Sequence, residues 1–155
     1  MLSATKGSVA PPAGPERRQA PRPPAPLRVD GASAAVERLL AARSPADRTA
    51  ALDAVVAAGP RAAELLAAML PGPGTPRRPA AQALDSSGPL VGALLKLGEV
   101  AVPALVRASD APEADRRYWA VRLLAAVATK PAQAALERRK ADADPDVAAA
   151  ARGGG

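Results

Sequence analysis

A chain of 155 residues with a formal net charge of +6 and a pI near 10.7 has room for one domain, and its basic balance invites anionic partners. Cysteine and histidine are both absent, which excludes disulfides, thiolate nucleophiles, zinc fingers and imidazole base catalysis. Phe is absent too, Trp and Tyr occur once each, and alanine fills more than a quarter of the chain, so short, closely packed helices are favoured.

Residues 1–31 hold seven prolines, in runs such as PPAGP and PRPPAP, and scarcely any large apolar side chain. Such a segment cannot bury enough surface to offset its ordering entropy, so a disordered or polyproline-like tail is predicted. Lys6, Arg17, Arg18, Arg22 and Arg28 against Glu16 and Asp30 give the first thirty residues a net +3. The other +3 is spread over 125 residues with acids and bases interspersed, the pattern of a solvated surface. No apolar core of secretory-signal length follows the Met, and a cytoplasmic location is expected. PRPPAP has the chemistry of a ligand for an aromatic-lined groove; a plain tether is the simpler reading.

From Ser33 the apolar residues recur with the helical period, Val36, Leu39 and Leu40 forming a first stripe. Ser44-Pro45-Ala46-Asp47 predicts a helix start, with Ser as N-cap, Pro at the first helical position and Asp closing a capping box. Leu52, Val55 and Val56 form its buried face and Gly59 ends it. Pro60 opens the next helix, with Leu65, Leu66, Met69 and Leu70 on one side, and PGPG at 71–74 stops it. Thr75-Pro76 starts another, with Ala80, Ala81 and Leu84 inward, broken by DSSGP at 85–89. The stretch 90–97 carries Leu90, Val91, Leu94 and Leu95, and 101–108 packs back with Val102, Leu105 and Val106. A helix over 112–128 buries Trp119, Val121, Leu123, Leu124 and Val127, and 131–139 returns with Ala135 and Leu136. Asp144-Pro145 caps a final helix over 146–152, whose one large apolar residue is Val147, before a glycine tail at 153–155.

Three of these helices share Arg-x-x-Ala-x-x-(Leu/Ala): Arg48/Ala51/Ala54, Arg78/Ala81/Leu84 and Arg117/Ala120/Leu123, spaced by 30 and 39 residues. A proline opens the following helix each time, at Pro60, Pro103 and Pro131. A two-helix unit of this size cannot bury its own stripe and must stack on neighbours. LG-x-x-AVPALV at 97–106, D-x-P-x-x-x-R-R-x-W-A-x-x-L-L at 110–124 and DPDV at 144–147 resemble HEAT-like repeats, of the bacterial kind named after phycobiliprotein chromophore lyases. The resemblance covers 94–152 best and 44–70 next. It implies an all-α fold: a short, armadillo-like α-solenoid of about three helical hairpins with flanking half-repeats over 32–152, behind the tail 1–31. In that family an Asp at the turn and an Arg in the next helix bridge successive repeats. The matching positions are Asp110 with Arg116 or Arg117, and Asp144, whose arginine is replaced by Ala148.

The function implied is that of a non-catalytic scaffold or adaptor for a protein partner, with no cofactor and no membrane. The partner face is expected along the second helices (60–70, 101–108 and 131–140), with Arg107, Arg138 and Arg139 as contacts. A second reading gives weak nucleic-acid binding through the basic tail and Arg77 with Arg78, which oppose a helix dipole. A third, carried by the family's name, is bilin attachment. Arg116-Arg117-Tyr118-Trp119 has the chemistry to stack a nucleobase, but Trp119 in the core between repeats, with its arginines toward turns or solvent, is the expectation. Asp142, Asp144 and Asp146 read as turn and cap residues; Pro145 and the missing Gly and distal Glu set ADADPDV apart from a calcium loop. Ser86, Ser87 and Ser109 have no base partner in view, and the Glu137–Lys140 run complements a helix dipole. The half-unit at 145–152, with mostly alanine beyond Val147, leaves end-to-end self-association or a longer array open.

Overall fold

A computed structural model of the chain describes Gly7, residues 30–72, Thr75, Arg77 and residues 84–153. Most of the expected tail and of the helix expected after Thr75, Arg78 and Ala81 included, lies outside the described residues. Among the described residues the fold is all-helical, 77% helix with no strands, and the helices pack against one another.

Local chemistry sets most of the boundaries. Helix α1 (Gly31–Ala41) begins where the Asp30 carboxylate accepts the Ser33 amide at 2.8 Å. In α2 (Pro45–Ala68) the Ser44 hydroxyl accepts the Asp47 amide at 3.0 Å and donates to the Asp47 carboxylate at 2.6 Å. Gly59, at φ 58° and ψ −132°, breaks α2 before Pro60, so 45–58 and 60–68 act as two helices. Helix α3 (Pro89–Leu97) ends at Gly98, φ 55°, and a 3-10 turn (Gly98–Ala101) leads into α4 (Val102–Ala108). The stretch Pro89–Ala108 is long and apolar enough to cross a membrane by length and composition, with mean hydropathy 1.7. The Gly98 reversal divides it, and half of it is buried inside the fold.

Helix α5 spans Ala114–Val127, starting two residues later than the sequence pattern suggested. Helix α6 (Lys130–Arg139) is capped by Thr129, and α7 (Pro145–Ala151) by Asp144, whose Oδ1 accepts the Asp146 and Val147 amides at 3.1 and 3.2 Å. Packing advances along the chain: α1 lies on α2, α2 on α3 and α4, α4 on α5, and α5 on both α6 and α7. Trp119, Leu94, Leu105, Leu123 and Leu124 are fully buried at its centre.

Among the expected core residues, Leu52, Leu65, Leu84, Leu95, Val106, Val127 and Leu136 are half-buried and three are exposed. Leu40 and Val56 are each 43% exposed and Met69 40%. On the same helices Val36, Leu39, Val55, Leu66 and Leu70 are buried as expected, together with Ala32, Ala35, Ala51, Ala62, Ala63 and Ala67. A methyl side chain lets two helix backbones approach closely, which turns larger neighbours out to the flanks of the contact.

Candidate functional site

Two grooves lie beside α4, one against residues 60–68 and one against α6. Along 60–68, Ala62, Ala63, Leu66 and Ala67 face the core while Glu64 and Ala68 face out. On α4, Val102, Ala104, Leu105 and Ala108 are buried, leaving Pro103 and Arg107 exposed. A groove of about 480 Å³ runs between these two helices, floored by Ala67, Ala68, Ala104, Ala108 and Ala111 and bordered by Glu64, Arg107 and Arg116. A second, of about 530 Å³, lies between α4 and α6, lined by Val102, Pro103, Val106 and Pro131, with Glu99 and Arg107 at its edge.

Arg107 borders both. Residues 103 and 106 lie on one side of it around the helix and 104 and 108 on the other, so its side chain stands on the ridge between the grooves. That side chain is 63% exposed, and its Nη2 donates to Glu64 Oε1 at 3.0 Å. Glu64 is shared: its Oε2 accepts from Arg61 Nη1 at 3.2 Å, and Arg61 reaches on to Asp30 at 3.5 Å. Arg116 donates to the Leu70 carbonyl at 3.5 Å and lies 3.5 Å from Glu113.

A second constellation joins the turns. Arg77 Nη1 donates to both oxygens of Asp144 at 3.0 and 2.9 Å and to Asp146 at 3.1 Å, and its Nε donates to Asp115. Its Cζ lies 5.8 Å from the centre of the Tyr118 ring. Burial works to lower the Arg77 pKa, but the three carboxylates hold it well above the usual arginine value. Beside it, Arg117 grips Asp142 with two bonds of 3.0 Å and donates to the carbonyls of Ala111 and Pro112 at 3.0 and 2.8 Å. Asp142 is only 3% exposed and also takes Arg139 Nη1 at 3.3 Å, while Arg139 Nη2 donates to Asp110. Burial raises the Asp142 carboxyl, yet Arg117, the Asp144 amide and Arg139 together bring it below the ordinary carboxylate range.

The chain matches no protein-family model, no curated protein and no solved structure.

The pairing expected for Asp110 is therefore corrected. It bonds Arg139, while Arg117 of the same hairpin takes Asp142, in the turn that follows α6. Asp144, left without an arginine in its own helix, receives Arg77 from 67 positions away in the chain. Of the expected contact residues, Arg107 stands on the grooves and Arg138 is exposed on α6, whereas Arg77 and Arg139 are turned onto aspartates of the chain itself. Arg48 is exposed on α2 beside the buried Ala51, and Ala120 and Leu123 are buried on α5. Trp119 is fully buried and Tyr118 5% exposed, their rings 5.6 Å apart edge-on, so neither offers a face to a nucleobase. Glu64 and Ala68 fall within the 60–70 face that was expected, whereas Glu99 and Arg116 were not anticipated as lining residues; the alanines at 67, 68, 104 and 108 were the available signal, because a methyl floor leaves a trough between helices. Among the described residues, no group of three or more potential ligands is arranged to hold a metal ion.

Proposed function

We propose that this chain is a HEAT-like α-solenoid adaptor, non-catalytic, which holds a protein partner along the face of its second helices. The observation that carries this reading is the pair of apolar grooves that meet at the exposed Arg107. Open concave surface of this kind is where binding sites form, and stacked helical hairpins generate it along the array. The neighbour-to-neighbour packing of α1 through α7 supports the solenoid. Nucleic-acid binding has less behind it, since Arg77 is bonded to Asp115, Asp144 and Asp146 and the aromatic pair is buried. Affinity capture with the purified chain, quantified against Arg107→Glu and the double variant Arg107→Glu/Arg138→Glu, tests the adaptor reading. A specific partner lost from the variants is expected; a partner retained by both removes the surface assignment.

A further inference from the structure

Charge does not decide what fills the grooves, because their linings hold Arg107 and Arg116 against Glu64 and Glu99. The course of the chain is more informative. Asp30, the N-cap of α1, lies 3.5 Å from Arg61, and Arg61 donates at 3.2 Å to Glu64, which borders the groove between 60–68 and α4. Glu64 in turn accepts from Arg107 at 3.0 Å. The chain therefore enters α1 beside the Glu64 end of this groove, and residues 1–29 precede that point. From there the trough continues past Ala67 and Ala68 to Ala111 and Pro112. The stretch just before Asp30, PRPPAPLRV at 21–29, holds four prolines with Leu27 and Val29. A floor of alanine methyls offers no acceptor to an amide N–H, and burying an unpaired donor is costly. Proline has no N–H to leave unpaired, so a proline-rich segment gives up least on entering.

From this arrangement we infer that the groove between 60–68 and α4 is taken by the chain's own segment 21–29, which covers the partner face and has to leave before a partner binds. The regulatory consequence rests on the adaptor reading; the contact itself does not. Reach is sufficient. A polyproline chain advances about 3.1 Å per residue, so the five residues 25–29 span about 15 Å, while Ala68 stands about 10 Å of helix beyond Arg61. A short tether holds its ligand at an effective concentration of about millimolar. Contacts too weak to retain a free peptide are therefore enough here, and an incoming partner competes against them.

The chain has no cysteine, so an introduced pair reports a single contact. In the full chain, Ala25→Cys is combined either with Ala68→Cys in the groove or with Glu37→Cys, which lies on α1 about 10 Å of helix from Asp30 and outside the groove. Ala68 and Glu37 are both exposed, so either cysteine is compatible with folding. The rate of intramolecular disulfide formation is read in a glutathione buffer. The Ala68 pair should close about tenfold faster than the Glu37 pair or more, the margin of a held segment over a free tether. Changing Pro23, Pro24, Pro26 and Leu27 to serine should bring the Ala68 rate down to the Glu37 rate. Equal rates for the two pairs, no closure at Ala68, or an Ala68 rate untouched by the serine changes overturns the proposal. A disulfide that forms only between chains would make the occupant a second copy and overturn it equally. Closure at Ala68 with no partner captured from cells would remove the adaptor reading and leave the segment in its groove; a captured partner without closure would do the reverse.

Discussion

At the amino-terminal end, α1 and the first half of α2 meet through alanines and a few aliphatic side chains, and the ion pairs nearby are exposed: Arg61 is 61% and Asp30 47% open to solvent. At the carboxyl-terminal end, α5 carries a fully buried Trp, and the turns are fastened by Arg117 and Asp142, whose side chains are 14% and 3% exposed. Both ends are built of helices packed on one another. What differs is the solvent around their charges, and that decides how much each contact matters. An exposed pair exchanges one set of hydrogen bonds for another and is screened by salt. A buried pair cannot lose one partner without leaving a bare charge in the interior.

Thermal and denaturant unfolding can break this comparison, beginning with its largest element. Trp119→Ala empties the centre of the carboxyl-terminal half and should cost about 3–5 kcal/mol; a loss no greater than that of an exposed substitution would contradict the packing of α5. Asp142→Ala should cost about 3 kcal/mol, because Arg117 and Arg139 would lose their shared acceptor. Ser44→Ala removes the cap of α2 and should cost about 1 kcal/mol. Arg61→Ala, at the exposed pair, should leave the midpoint where it is, and a drop as large as that of Asp142→Ala would erase the contrast between the two ends.

A pH titration sharpens the same contrast. The Asp142 and Asp144 carboxyls are held below their ordinary value, Asp142 for the reasons given above. For Asp144 burial opposes the shift, and the Val147 amide and Arg77 outweigh it. A carboxyl whose pKa is depressed in the folded state contributes stability above its unfolded value, about 3.9, and loses it as the pH falls through the folded value. Stability should therefore be level above about pH 5 and decline with acid below about pH 4. Asp142→Asn should flatten part of that decline, and an unchanged acid limb would detach Asp142 from it.

The grooves were partly legible in advance. Arg107 could be placed on the partner face from helical spacing alone, because the apolar positions 102 and 105 fix which side of α4 turns inward. Glu99 and Arg116 could not, since each is an ordinary charged residue until two helices bring them to one trough. Leu40, Val56 and Met69 were misplaced for a related reason: where a helix is mostly alanine, several faces have similar hydropathy, and spacing alone does not say which apolar neighbour sits at the edge of the buried stripe.

By itself the sequence determined where most helices start and stop. Ser44, Thr129 and Asp144 as caps, prolines at first positions and glycines at 59 and 98 act on backbone groups within a few residues of themselves. Only the tertiary structure decided which aspartate each arginine holds. Arg77 reaches Asp144, Arg117 reaches Asp142 and Arg139 reaches Asp110, across separations of 67, 25 and 29 residues. A long guanidinium side chain can meet any carboxylate that packing brings within its span, so its partner follows from how the turns are stacked.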